Sequence, residues 1–306
     1  MLNREGVPLV DCRSFVQNHH FDLESYRHAI KYFGKSLPVE KRTLIRVEPI
    51  VVNPYQYQIG IEEKYGKIVV ISPNELKSAK NLYWESGYID FENLETFPNQ
   101  SETGIAIINE RKFSFIQGSN YKLRQRVIEE FLRNEQPIKL AGKNWNQTLT
   151  WDLKKQVFAA LQGLKDNKGI VLSQFQFPLR VKSPWLEYAG RVSSARKFLS
   201  QSKFAIVIEN DSTYVSEKLL NALIAGCIPL YEGPKLSDYG IPSKVAIEVG
   251  TSPAKFLHAV AAYSDCELKE VRETGQEWIS SLEARKRWSV NEGFKRLIEI
   301  IKIRAS

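Results

Sequence analysis

Cysteine is nearly absent from this chain: Cys12, Cys227 and Cys266 are the only three. An odd, scattered set matches neither a zinc-ligand spacing nor a disulfide framework, which points to a reducing compartment. No apolar run approaches the roughly 20 residues of a membrane span. The opening residues Met1-Leu2-Asn3-Arg4-Glu5-Gly6 contain no signal-peptide core. A cytoplasmic protein is therefore expected. The chain also lacks an Asp-x-Asp pair for a catalytic metal, a glycine-rich phosphate loop, an internal repeat and any low-complexity tract. No metal and no cofactor are expected.

What is present is an ordinary globular composition, 43% hydrophobic and 25% charged over 306 residues, enough for two domains. The net charge of +8 suits an anionic ligand or an acidic surface. Basic residues are dispersed instead of alternating with aromatics along one surface, which argues against a nucleic-acid partner.

The most informative stretch runs from Phe204 to Pro234, FAIVIENDSTYVSEKLLNALIAGCIPLYEGP. Phe204 to Ile208 has the length and β-branched character of a buried parallel strand. Glu209 to Thr213 is a polar loop. A helix follows from about Val215, with Ser216 as its N-cap, Leu219, Leu220, Leu223 and Ile224 on one face, and Gly226 as its stop. Cys227 to Tyr231 is a second strand. Such a strand–helix–strand unit places ligands at the carboxyl ends of its strands, against the helix N-terminus. Glu209, Asn210, Tyr214, Glu217 and Lys218 stand there. A cation in the first turn opposes the helix dipole, so Lys218 asks for an anion. Glu209 and Glu217 bracket seven residues, the Glu-x7-Glu arrangement with which many two-domain glycosyltransferases grip a nucleotide sugar. A plain helix start with an exposed lysine is the competing reading.

In this order the residues resemble the donor-binding motif of the α-1,3-fucosyltransferases: Phe-Glu-Asn-Ser, a short gap, Asp-Tyr-x-Thr-Glu-Lys, an apolar helix, then spaced Gly and Pro. The chain has Glu209-Asn210-Asp211, Thr213-Tyr214-Val215-Ser216-Glu217-Lys218, Gly226, Pro229 and Gly233-Pro234. It departs at Asp211, Thr213 and Ser216 and in a shortened gap. The resemblance extends upstream to Ser119-Asn120, then an arginine, then a helix from Leu123 to Arg133 and a strand ending at Gly142. It implies that Arg126 binds the diphosphate, with Arg124 the nearest competitor; Arg suits the task through its bidentate fork. It also implies that Lys218 neutralises the leaving diphosphate, Glu217 holds ribose hydroxyls, Glu209 and Asn210 face the sugar or its phosphate, and Tyr214 packs near guanine. Glu48, in Glu48-Pro49, is similar to the strand-end glutamate that serves the family as general base, although the serine between is missing. Glu62, Glu63 and His20 are the alternatives.

The resemblance therefore implies an α/β protein with two Rossmann-like domains facing a cleft, the GT-B type. Residues 1–103 would form the acceptor side and residues 104–306 the donor side with C-terminal helices. The implied partners are GDP-fucose and a glycan acceptor, and the reaction is an inverting, metal-independent transfer. A glycosyltransferase using another nucleotide sugar, or a non-enzymatic basic binding protein, are the rival readings. Leu23 to Phe33, Leu123 to Arg133, Trp151 to Leu164 and Pro253 to Tyr263 read as helices. Leu44 to Pro49, Ile68 to Pro73, Phe113 to Gln117 and Val245 to Val249 read as strands. The C-terminal stripe Trp278, Ile279, Leu282, Phe294, Leu297, Ile298 and Ile301, beside Arg285-Lys286-Arg287, reads as core, with peripheral membrane contact as the alternative.

Overall fold

The computed structural model describes residues 20–22, 39–76, 78–97, 101–165, 170–179 and 181–302. The chain folds as two compact units, one of residues 1–85 and 296–306, the other of residues 86–295. The boundary thus falls at Glu85/Ser86 instead of 103/104, and the chain crosses back after Lys295. Residues 86–97 belong to the second unit because their backbone docks there. Tyr88 and Ile89 N–H both donate to Trp288 O, and Tyr88 stacks on the Trp288 ring.

The first unit holds four parallel strands in sequential order: β1 (His20–Asp22), β2 (Arg42–Arg46), β3 (Lys67–Val70) and β4 (Asn81–Tyr83). Leu44, Ile68 and Val70 pack with Ile61 and Tyr65 as its core. β1 has no clear signal in the sequence, and the helix expected at Leu23 to Phe33 lies outside the described residues. Arg46 is buried at the end of β2. Its Nε and Nη2 donate to Gln56 O, it stacks on Tyr57, and Nη2 pairs with Glu62 at 2.9 Å.

The second unit contains β5 (Ile105–Ile108), α1 (Tyr121–Arg133), β6 (Ile138–Ala141), α2 (Leu149–Lys165), β7 (Leu186–Gly190), α3 (Ala195–Leu199), β8 (Phe204–Ile208), α4 (Glu217–Ile224), β9 (Ile228–Glu232) and β10 (Ile247–Glu248). Four helices close it: α5 (Pro253–Ala262), α6 (Asp265–Ser280), α7 (Leu282–Trp288) and α8 (Val290–Lys302), the last continuing into the first unit's residues. All six strands are parallel, in the order β10-β9-β8-β5-β6-β7. Numbered within this unit the order is 6-5-4-1-2-3, the doubly wound arrangement, and its direction reverses between β5 and β8. Phe113 to Gln117, expected as a strand, is irregular.

Strand alternation decides the layers. Ile105, Ile107, Phe204, Ile206 and Ile208 face one way and pack with Val127, Ile128 and Phe131 of α1 and Phe256 of α5. Ala106, Ala205 and Val207 face the other way, against Leu219, Leu220 and Leu223 of α4 and Trp278 of α6. Both faces are covered, so β8 is buried at every residue, as a central parallel strand must be. Serine caps punctuate the helices: Ser194, Ser216, Ser264 and Ser281 each accept from a backbone N–H in the following turn. Gly226 stops α4 at φ +70°, a left-handed position that glycine adopts without strain. In the C-terminal stripe, Trp278, Ile279 and Leu297 are buried, whereas Leu282 and Phe294 are exposed.

Candidate functional site

In doubly wound sheets a reversal of strand order, here between β5 and β8, marks the crevice outside the strands' carboxyl ends where the connections diverge. The segments that meet in it are the start of α1, the loop after β8 and the start of α4. Asn120, the N-cap residue of α1, donates its backbone N–H to Asn210 O at 2.9 Å. Arg124, one turn into α1, donates Nη2 to Ile208 O at 3.0 Å and to Asn210 Oδ1 at 2.6 Å. Asn210 Nδ2 in turn donates to Tyr214 OH at 2.5 Å. The Arg124 guanidinium lies 4.8 Å from the Tyr121 ring centre, and its Nε finds no partner among the described residues. Burial pushes the Arg124 pKa down, opposed by Tyr121, Glu209, Tyr214 and Glu217 in that order.

Arg124, not Arg126, is therefore the arginine of α1 that reaches the β8 loop. The helical period explains it: positions 120, 121 and 124 share the face turned to β8, while 126 is rotated about 200° from 124. Arg126 is exposed and lines a recess with Lys122, Gln125, Glu129, Phe175, Gln176 and Phe177. Ser119 is buried beside Asn120; its Oγ accepts from Tyr121 N–H, and its carbonyl accepts from Gln174 Nε2.

The second half of the crevice is the amino end of α4. Glu209 is fully buried, and its carboxylate does not face open space as expected for a sugar contact. It accepts from Ser216 N–H at 2.9 Å, Ser216 Oγ at 2.6 Å and Lys218 Nζ at 2.9 Å. A buried carboxylate needs this, since an unpaired one costs several kcal/mol. Glu209 is thus the anion that Lys218 calls for, and Ser216 Oγ accepts a second Lys218 N–H at 3.0 Å. Gly233 lies against this group: a Cβ there would fall 2.8 Å from Glu209 Cγ, so the Gly-Pro turn keeps room for the carboxylate. Tyr231, close by, has its hydroxyl buried, and burial followed by the Glu209 charge drives its pKa far up. Glu217, at the first position of α4, is exposed. Tyr214 is buried in the loop before it. Asp211 folds that loop by accepting from Thr213 N–H at 2.9 Å and Thr213 Oγ1 at 2.7 Å, and burial raises its pKa. Tyr239 OH closes the loop from outside by donating to Thr213 O.

Asn120, Arg124, Asn210 and Tyr214 form one chain of contacts, and Glu209, Ser216 and Lys218 another. Glu48 belongs to the first unit. It lies two residues past β2, partly exposed, and its carbonyl accepts from Tyr57 OH at 3.1 Å. Among its alternatives, Glu62 is engaged by Arg46. His20 opens β1. Three buried charges lie outside the sequence expectations, Arg46 and the pair Arg111–Asp152; the signal for Arg46 is a charged residue at a strand end. Among the described residues no group of three or more His, Cys, Asp or Glu side chains is placed to hold a metal ion.

No protein-family model matches the chain, and no curated protein sequence matches it either. Solved structures do. Anabaena Alr3699/HepE, in complex with UDP and glucose, superposes with TM-score 0.59 at 8% identity, covering 95% of this chain and 81% of its own. A glycosyltransferase from Rickettsia africae ESF-5 gives TM-score 0.51 at 10% identity, covering 100% and 85%. The pneumococcal O-GlcNAc transferase GtfA, in complex with UDP and GlcNAc, gives 0.52 at 11%, covering 96% and 59%. The chain spans 50% of the S. aureus TarM structure. At these identities the likeness shows the fold: α/β, with two Rossmann-like units of the GT-B type.

Proposed function

We propose that this chain is a glycosyltransferase whose nucleotide-sugar donor binds at the carboxyl ends of β5 and β8. The observation that supports it is the tie between Arg124 and Asn210 at the strand-order reversal, beside the amino end of α4. Arg124 Nε is buried without a partner among the described residues, a donor suited to a phosphate oxygen. An ammonium has three N–H donors. Glu209 and Ser216 take two from Lys218, which leaves one for the diphosphate. α4 adds the positive end of its dipole. Glu217, exposed at the first position of α4, suits ribose hydroxyls. Glu209 is reassigned from sugar contact to holding Lys218 and the helix start. As the bond between the sugar's anomeric carbon and the diphosphate oxygen breaks, Lys218 and Arg124 stabilise the charge that collects on the departing nucleoside diphosphate, acting electrostatically in a partly dry site.

The donor we assign is GDP-fucose, on the resemblance of residues 209–218 and 226–234 to the α-1,3-fucosyltransferase motif, with a glycan hydroxyl as acceptor. In that inverting reaction a carboxylate takes the acceptor proton as the oxygen attacks the anomeric carbon opposite the diphosphate. Glu48 is proposed for that role. A UDP-sugar is the second reading, favoured by the UDP held in HepE and GtfA. Calorimetry of the intact chain with GDP, UDP, ADP and CMP separates the two, and a donor-hydrolysis screen then names the sugar. Tight GDP with weak UDP supports the first reading and the reverse supports the second. Binding of no nucleoside diphosphate overturns both. With the acceptor in hand, Glu48→Gln should lower the transfer rate by about 10²–10⁴-fold and leave nucleotide binding unchanged. A rate within about threefold of wild type removes Glu48 from the mechanism.

A further inference from the structure

α2 is built inside out. Its buried positions are Asp152, Gln156 and Gly163, which fall within about 40° of one another around the helix. Leu153, Val157, Phe158, Leu161 and Leu164 spread over about 140° of the side facing away, and all are exposed. Three of them in sequence proximity, Val157, Phe158 and Leu161, are 58%, 63% and 59% exposed, more than isolated surface hydrophobes require.

The polar side pins this orientation. Asp152 pairs with buried Arg111 at 2.8 Å. Gln156 donates Nε2 to Gln176 O and accepts from Gln176 N–H, both at 2.8 Å. Rotating α2 to bury its leucines would strip these buried groups of their partners, so the apolar face is held outward. The segment clasped by Gln156 carries two more exposed hydrophobes, Leu172 at 77% and Phe177 at 69%.

The charges beside this face are mostly positive. Lys154 and Lys155 are exposed on α2, whose one acid, Asp152, is buried. Lys122 and Arg126 line the recess under Phe177; the acid there, Glu129, accepts from Gln125 Nε2 at 2.6 Å. We propose that the exposed face of α2, with Leu172 and Phe177, docks on an anionic membrane surface. The leucines and phenylalanines enter the boundary between headgroups and acyl chains, while Lys154 and Lys155 extend along them to lipid phosphates. A second copy of this chain fits less well, because pairing of two such faces brings Lys154 of each into an apolar interface without a counter-charge. No described helix is long and apolar enough to cross a membrane, so the helix lies on the surface. The inference does not depend on which nucleotide the crevice binds.

The test is flotation of the intact chain with phosphatidylcholine vesicles, with and without about one third phosphatidylglycerol. Wild type should float with the anionic vesicles and lose most of that binding in high salt. Val157→Glu/Leu161→Glu should weaken partition at least tenfold, with an unchanged melting temperature. Lys154→Glu/Lys155→Glu should weaken it about tenfold on anionic vesicles only. Absence of flotation with anionic vesicles overturns the proposal. So does a concentration-dependent dimer in sedimentation that Val157→Glu/Leu161→Glu abolishes, since the occupant is then a second copy. A melting temperature lowered by more than about 5 °C in that variant, with partition unchanged, also overturns it, because the face is then part of the fold.

Discussion

Two helices of the second unit, α4 and α2, have similar sequence patterns and opposite fates. Both carry apolar residues at helical spacing, and both have a carboxylate at their amino ends. In α4 the stripe Leu219, Leu220 and Leu223 is buried against the sheet and α6, and its end is polar and open enough to leave Glu217 exposed. In α2 the stripe Leu153, Val157 and Leu161 faces outward, and the polar side is buried on Arg111 and Gln176. Periodicity reports that a helix has an apolar face; the partners of its polar residues decide where that face points. Glu209 and Asp152 express the same difference. Glu209 collects Ser216 and Lys218 and fixes the start of α4, whereas Asp152 pairs with Arg111 and fixes a helix orientation.

The largest effect expected from that contrast comes from the buried pair. Asp152→Ala leaves Arg111 as an uncompensated buried charge and should cost about 3–5 kcal/mol, read in denaturant melts. A loss under about 1 kcal/mol would mean that the pair does not orient α2. Its pH dependence follows from the sign of the shift. Burial raises the Asp152 pKa, and the attraction of Arg111 lowers it by less. The stability this favours is present below the unfolded value of about 3.9 and is lost as pH rises through the raised folded value. Melts between pH 3.5 and pH 7, run on wild type and Asp152→Asn, should therefore show a shallower slope in the variant.

Next in size is the apolar face of α4, where Leu220→Ala should cost about 2–5 kcal/mol through lost burial and a cavity. The third contrast lies within α1. Arg124→Ala should weaken nucleoside diphosphate binding by about 1–3 kcal/mol, and Arg126→Ala should leave it unchanged. The reverse result would return the diphosphate to Arg126, as the resemblance implied. The smallest effect is expected on α2, where Leu161→Ala should shift stability by no more than about 0.5 kcal/mol. A cost near that of Leu220→Ala would erase the comparison between the two helices.

Much of the second unit was legible in the sequence. The strand Phe204–Ile208, the Ser216 cap, the α4 face and the Gly226 stop are local signals, and each is found as read. The position of the loop after β8 was legible too, because a strand–helix–strand unit dictates where its loop lies. What was not legible is long-range. Arg124 and Arg126 differ by two positions on a helix, and only the packing of α1 on β8 tells them apart. The linear pattern points Glu209 at a ligand, since nothing in it shows that Ser216 and Lys218 fold back on the carboxylate. β1, three residues long and outside any hydrophobic run, pairs with β2 through a contact that sequence periodicity does not carry.

The central claim is that a nucleotide sugar is bound where β5 and β8 part, by α1 and α4. Hydrogen–deuterium exchange of the intact chain, with and without the nucleoside diphosphate that calorimetry selects, tests it most directly. Protection is expected in the amides of residues 119–126 and 209–220, and it should be lost in Arg124→Ala at equal ligand concentration. Protection confined to residues 39–85, with residues 119–126 and 209–220 unchanged, would contradict the account.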